Sequence, residues 1–157
     1  MQTENVAWFP CQPEEAFKLA SRVDLWPQLL PHYRWVRFHR GGPENGGLVE
    51  MAARRQFGAL GWPVWWCSRM AISPAEQRIR YTHVDGLTKG MEVLWQMEAS
   101  RGGTQVSITH WWAGGPSFCG PAATYVGRSL IGPVFVHFIA DQTLRHLAQH
   151  AGEGIAV

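Results

Sequence analysis

Hydrophobic and polar positions alternate most clearly in two stretches near the middle of the chain. Met91, Val93, Trp95 and Met97 interleave with Glu92, Leu94, Gln96 and Glu98. Val106, Ile108, His110 and Trp112 interleave with Gln105, Ser107, Thr109 and Trp111. A period of two predicts strands with one buried face. Val and Leu would suffice to fill a core, yet these faces carry Met, Trp and His. Such a wall suits a pocket for a large, flat, mostly apolar guest.

The rest of the chain divides in the same way. Val6 to Phe9 read as a strand, and Pro13 stands where a helix should begin, with Glu14 and Glu15 in its first turn. Ala16, Phe17, Leu19 and Ala20 give that helix an apolar side. Asp24 is expected to cap a second short helix through Trp26, Leu29 and Leu30, which Pro31 stops. Hairpins are predicted from strands at 34–40 and 48–54, 62–72 and 78–84, and 91–98 and 104–112, joined by turns rich in Gly, Pro and Ser. After residue 121 the period changes. Val126, Leu130, Val134 and Phe138 recur every four residues, with Ile131, Phe135 and Ile139 beside them, and Leu144, Leu147 and Ala151 continue the stripe. This predicts a long C-terminal helix starting within 120–133, kinked at Pro133 and ending near His150. Val-Phe-Val also admits a buried strand at 134–139.

That order predicts an α+β fold: one curved antiparallel sheet of six to seven strands wrapped around a long C-terminal helix, with two short helices after the first strand. A single domain over 1–157 is expected. A curved sheet and a straight helix cannot pack flush along their whole length, so a cavity between them follows. Met51, Tyr81, Met91, Val93, Trp95 and Ile108 should face it. Glu50, Glu92, Gln96 and Glu98 should face water, because a slip of one residue would bury carboxylates.

Composition narrows the function classes. Hydrophobic content of 46% with 17% charged residues, over 157 residues, is that of a globular chain. The net charge of +2 is spread thinly, and Arg34, Arg37 and Arg40 form the one local basic cluster, so nucleic-acid binding has little support. No signal sequence or membrane-spanning run is read, so a cytoplasmic protein without integral membrane association is expected. Cys11, Cys67 and Cys119 are far apart and read as free buried thiols.

Candidate chemistry lies on the strands. His83 shares a face with Ile79 and Tyr81, and His110 with Val106 and Ile108. They read either as buried imidazoles that meet a carbonyl-bearing ligand or as core histidines satisfied by backbone or water. In 62–72 the even face holds Trp62, Val64, Trp66, Ser68, Met70 and Ile72, and hydrophobicity turns it inward, leaving Arg69 outside. Nine tryptophans suit an aromatic-lined pocket, although Trp111 and Trp112 cannot share a face. His146 and His150 have helical metal spacing but no acidic or Cys partner, and read as cations at a helix C-terminus. No cofactor, metal or nucleophile motif is present.

Several segments carry a resemblance: LWPQLLPHY at 25–33, WWCSR at 65–69, HVDGLTKGMEVLW at 83–95, VSITHWW at 106–112 and TLRHLAQHAGE at 143–153. In these the chain resembles the START-like helix-grip (SRPBCC) superfamily, and within it the polyketide cyclase/dehydrase and coenzyme-Q-binding branch. The resemblance spans essentially the whole chain and implies a helix-grip fold. The superfamily hosts carriers, sensors and enzymes. Its aromatic polyketide aromatase/cyclases use an Arg and a Tyr inside the cavity, and the motifs here put those roles on Tyr33 and Arg69. A bulge would reconcile an inward Arg69 with the hydrophobic pattern. Where those cyclases tend to carry a second basic residue on the following strand, this chain has Thr82 or His83.

The expected function is binding or carriage of a small hydrophobic ligand, aromatic, polyketide-, quinone- or lipid-like. The expected contacts are Met51, Trp66, Tyr81, His83 and Met91, together with Val93, Trp95, Ile108, His110 and Phe135. The alternative is an aromatase/cyclase acting on a poly-β-keto chain, with Arg69 and Tyr33 or a cavity histidine such as His110 as catalytic groups. A third is a module that presents a quinone or lipid to a protein partner, whose identity the sequence leaves open.

Overall fold

A computed structural model describes residues 1–153, apart from the side chains of Ser117 and Phe118. The predicted strands form one antiparallel sheet in the order β1-β7-β6-β5-β4-β3-β2. They are β1 Gln2–Phe9, β2 Tyr33–Gly42, β3 Gly46–Phe57, β4 Leu60–Ser73, β5 Arg78–Gly86, β6 Glu92–Ser100 and β7 Gly103–Trp111. From β2 to β7 each strand pairs with the next in chain order, and β1 returns to the free edge of β7. The register follows the alternation. Val93 lies opposite Tyr81 and His110, and Trp95 opposite Ile79 and Ile108. Val93, Trp95 and Met97 are buried, and Glu98 is exposed. Bulges in β2, after Tyr33 and after Phe38, and between β4 and β5 bend the sheet around its contents.

The helices after β1 are α1 Pro13–Ser21 and α2 Trp26–Leu29. Pro13 opens α1, and the Glu15 carboxylate accepts from the Gln12 backbone N–H at 3.1 Å. Phe17, Leu19 and Ala20 bury its apolar side in the core beside Trp26 and Leu30. Asp24 does not cap the second helix as expected. It lies inside a short 3₁₀ turn, Val23–Leu25, and accepts two hydrogen bonds from Arg22 at 2.9 Å each.

The C-terminal helix is built in three parts: α3 Ala123–Val126, a π-helical stretch Gly127–Val136, and α4 His137–Glu153. Residues 134–139 are therefore helical, and the strand alternative is excluded. The stripe at every fourth residue is also corrected. Leu130 is half exposed, while Ile131, Val136, Ile139, Ala140, Leu144 and Leu147 are buried. The wider turns of a π-helix advance the phase, so α-helical spacing carried through 127–136 picks out the wrong face. Pro133, which lacks a backbone N–H, sits within this stretch.

The β3–β4 hairpin is longer than the alternation predicted, reaching Phe57 and Leu60 across a turn in which Gly58 adopts φ +58°. The helical run Cys119–Glu153 is long and apolar enough to cross a membrane by length and composition, although its second half is the core helix of the fold. The sequence reading had found no such run.

Candidate functional site

Between the concave face of the sheet and the C-terminal helix lies a cavity. The space within it open to the centre of a water-sized sphere measures about 90 Å³. Strand alternation supplies most of its wall. Met51 comes from β3, Trp66 from β4, Tyr81 and His83 from β5, Val93 and Trp95 from β6, and Ile108 and His110 from β7; Met91 precedes β6. Phe135, Val136, Ile139, Ala140 and Thr143 cover it from the helix, and Trp26 and Tyr33 close one end. Each residue expected to contact a ligand thus lines the cavity, nine from the sheet side and Phe135 from the helix. Tyr33 and His110, expected as catalytic groups of an enzyme, stand there too.

Arg69 does not. It is exposed on the outer face of the sheet, level with Leu48 and Thr82. The bulge invoked to turn it inward exists, but the extra residue is Val84 of β5, between the pairs Cys67–Asp85 and Ser68–His83. The phase of β4 is undisturbed, so Val64, Ser68 and Met70 are buried and Arg69 points away.

The aromatic rings form an arc. Trp95 lies 5.6 Å from Trp26 between ring centroids. Trp26 meets Tyr33 edge-on at 5.1 Å, and Tyr33 meets Trp66 edge-on at 6.1 Å. Trp66 and His83 lie nearly parallel, 12° apart in plane at 6.0 Å. One tilted, two edge-on and one stacked contact hold these rings at fixed angles, so the wall has a defined shape.

The lining contains no Asp, Glu, Lys or Arg among the described residues. Its titratable groups are held neutral. Burial lowers the His83 pKa to about 3, with His110 adding to the shift. Burial lowers that of His110 to about 4, with His137 adding. Burial pushes the Tyr33 and Tyr81 phenols well above the ordinary tyrosine range. The polar atoms are partly paired. His83 Nδ1 lies 2.6 Å from the Thr88 hydroxyl, and His110 Nδ1 lies 3.3 Å from that of Thr3. The Thr143 hydroxyl donates to the Ile139 carbonyl at 2.7 Å and lies 2.9 Å from His32 Nε2. The Tyr81 hydroxyl, on a side chain 5% exposed, has no protein partner among the described residues. Leaving a buried hydroxyl unpaired costs about 1–3 kcal/mol.

Beside Phe135 of the lining, the β3–β4 hairpin is clasped to the helix. Arg55 Nε donates to the Val134 carbonyl at 2.7 Å. Its guanidinium lies 3.5 Å from the Phe138 ring centroid and 4.5 Å from that of Phe57. Phe57 meets Phe135 edge-on at 6.0 Å. The hairpin and the helix are thus tied through one cation and three rings.

The sequence reading missed Trp26, Val64, Trp65, Leu87, Thr88, Val136, Ile139, Ala140 and Thr143 as lining residues. Ile139, Ala140 and Thr143 follow helical spacing and were within reach of the pattern. Thr88 gives no periodic signal. His146 and His150 serve structure: His146 Nδ1 donates to the Gln142 carbonyl and His150 Nε2 to that of Leu29, both at 2.8 Å. Among the described residues no group of three or more His, Cys, Asp or Glu is placed to hold a metal ion.

A family profile described as polyketide cyclase / dehydrase and lipid transport matches residues 9–148. No curated protein matches the chain. In fold it is similar to the protein TTHA0849 from Thermus thermophilus, with a TM-score of 0.72 and 16% identity over 99% of this chain and 100% of that one. It is similar to the Zhui aromatase/cyclase from Streptomyces sp. R1128, with a TM-score of 0.76 and 16% identity over 100% and 96%. It also matches half of the di-domain ARO/CYC StfQ of the steffimycin biosynthetic pathway: TM-score 0.74, 19% identity, 97% of this chain and 50% of that one. At these identities the likeness is one of fold.

Proposed function

The chain belongs to the polyketide cyclase / dehydrase and lipid transport family, and we propose that it binds an uncharged, ring-containing small molecule between sheet and helix. A carbonyl or hydroxyl oxygen of the guest accepts a hydrogen bond from Tyr81. The observation that carries this reading is the Tyr81 hydroxyl, buried without a partner among the described residues in a lining that, among the same residues, has no charged side chain. A guest oxygen supplies the missing acceptor. A carboxylate would enter a site with no cation to meet it, at a cost of several kcal/mol.

The same chemistry favours carriage over turnover. A general base works best with a pKa near the operating pH. Imidazoles with pKa values of about 3 and 4 are weak bases at neutral pH, and the raised phenols are weak acids. The cation that the cyclase reading put on Arg69 faces solvent. An enzyme using Tyr33 or His110 would have to retune these groups when its substrate binds.

Size constrains the guest. An enclosed apolar cavity of about 150 Å³ holds one benzene ring, so the 90 Å³ here calls for outward movement of a wall before a fused-ring guest fits. The Arg55 clasp is the contact such movement breaks. The test is a set of titrations with 1-tetralone, tetralin and 2-naphthoate. The ketone should bind more tightly than the hydrocarbon, and the carboxylate weakest. Tightest binding of the carboxylate, or binding of none of the three, would refute the reading.

A further inference from the structure

Resting on the ligand reading above, we propose that the guest group met by Tyr81 is a hydroxyl, which accepts from Tyr81 and donates to Tyr33. Thr143 and His32 impose this choice through the placing of their hydrogens. The Thr143 hydroxyl gives its only hydrogen to the Ile139 carbonyl, which can only accept, at 2.7 Å. His32 Nε2, 2.9 Å from the same oxygen, must therefore carry a hydrogen and donate it. Burial holds His32 neutral, with a pKa of about 4, so this is the ring's single N–H hydrogen. Its Nδ1 is left as a buried lone pair with no partner among the described residues.

One lone pair of the Thr143 oxygen remains. Tyr33, whose phenol is in hydrogen-bonding contact with that oxygen, can meet it only as a donor. The Tyr33 hydrogen is thereby spent, and its oxygen turns only lone pairs to the cavity that Tyr33 and Thr143 both line. Tyr81 is the opposite case. It lies near enough to Tyr33 for a charge on one to act on the other, yet its hydroxyl has no partner among the described residues. Its hydrogen is available to the guest. Two like side chains thus present opposite polarity, a donor at Tyr81 and an acceptor at Tyr33. A ketone or ether oxygen answers Tyr81 and leaves lone pair facing lone pair at Tyr33. A hydroxyl, with one hydrogen and two lone pairs, answers both.

The test is calorimetric titration of the full chain with 1-tetralone and with both enantiomers of 1-tetralol and of its methyl ether. One enantiomer of the alcohol should bind about fivefold or more tightly than the ketone and than either ether. Tyr33→Phe removes the acceptor and should abolish this preference. Thr143→Val releases the Tyr33 hydrogen to the cavity, so the ketone can accept from both phenols and the preference should reverse. Each result is a ratio of affinities within one protein, so a general loss of stability does not imitate it. The wild-type series needs no variant at all. Wild type binding the ketone as tightly as the better alcohol overturns the proposal while the ligand reading stands. An alcohol preference that persists in Tyr33→Phe or in Thr143→Val overturns it too. Binding of neither the ketone nor the alcohol refutes the ligand reading and the proposal with it.

Discussion

Tyr81→Phe removes one oxygen and nothing else, and it should act in opposite directions on the free and the ligand-bound protein. In the free protein the hydroxyl is buried with no hydrogen-bond partner among the described residues. An unsatisfied buried hydroxyl costs about 1–3 kcal/mol, with the lower end applying where cavity water lends a bond. Its removal should stabilise the fold by about 1 kcal/mol, which raises Tm by roughly 2–4 °C for a chain of this size. The ring remains, so its packing opposite Met70 and Val93 is kept. In the complex the guest oxygen loses its donor. The preference of wild type for 1-tetralone over tetralin, about tenfold for one hydrogen bond of about 1.4 kcal/mol, should collapse towards unity. Thermal melts without ligand and calorimetric titrations with both probes measure the two effects. A lower Tm in the variant would mean that the hydroxyl is satisfied in the free protein. An unchanged ketone preference would mean that the guest does not meet Tyr81. Either result would refute the reasoning.

Acid should unfold the protein early. His32, His83 and His110 are held neutral with pKa values of about 4, 3 and 4, below the unfolded value near 6.5, mainly by burial. Below pH 6.5 the unfolded chain takes up protons that the folded chain refuses, so stability is full above that pH and falls by about 1 kcal/mol per pH unit for each histidine down to about pH 4. Urea melts at pH 7 and pH 5 check this, and equal midpoints would contradict it. Arg55→Ala should speed entry of 1-tetralone in stopped-flow measurements and tighten its Kd, because the wild-type protein must break the clasp to admit the guest; an unchanged entry rate with unchanged or weaker affinity would contradict this. Arg69→Ala should leave tetralone affinity within about twofold of wild type, since removing an outward charge usually changes free energies by less than about 0.5 kcal/mol; a larger loss would place Arg69 at the ligand.

The register of the sheet was legible because polar and apolar demands agree along it. On β6 a slip of one residue would bury Glu92 and Glu98 and expose Trp95, so only one phase is tolerable. Arg69 was the position where two signals disagreed. The phase of Val64 and Met70 predicted an outward side chain, the resemblance an inward one, and the bulge fell on the partner strand. The hairpin tip was hidden for a different reason. Phe57, Leu60 and Trp62 share a face, but Gly58 and the turn break their alternation, and the face they share is largely uncovered. The helix phase was misread because a period of four was carried through π-helical turns.

Thr143 and Tyr81 mark the limit of pattern reading. Thr143 sits on an apolar stripe, and its place beside His32, 111 residues away along the chain, exists only once α4 is laid against the loop before β2. Tyr81 alternates correctly, and from the pattern alone it is one more buried aromatic. What distinguishes it from Tyr33, which meets Thr143, is a hydroxyl without a hydrogen-bond partner among the described residues, a condition it shares with Ser68 on the neighbouring strand and one that depends on every neighbour at once. Burying an aromatic ring stabilises a fold through its carbon atoms, and Phe would do that here without the cost of a stranded hydroxyl. A residue that breaks a local rule where a simpler one would serve is expected at functional sites. On the function proposed above, the stranded hydroxyl and the uncharged wall suit one occupant, a neutral guest that brings its own acceptor.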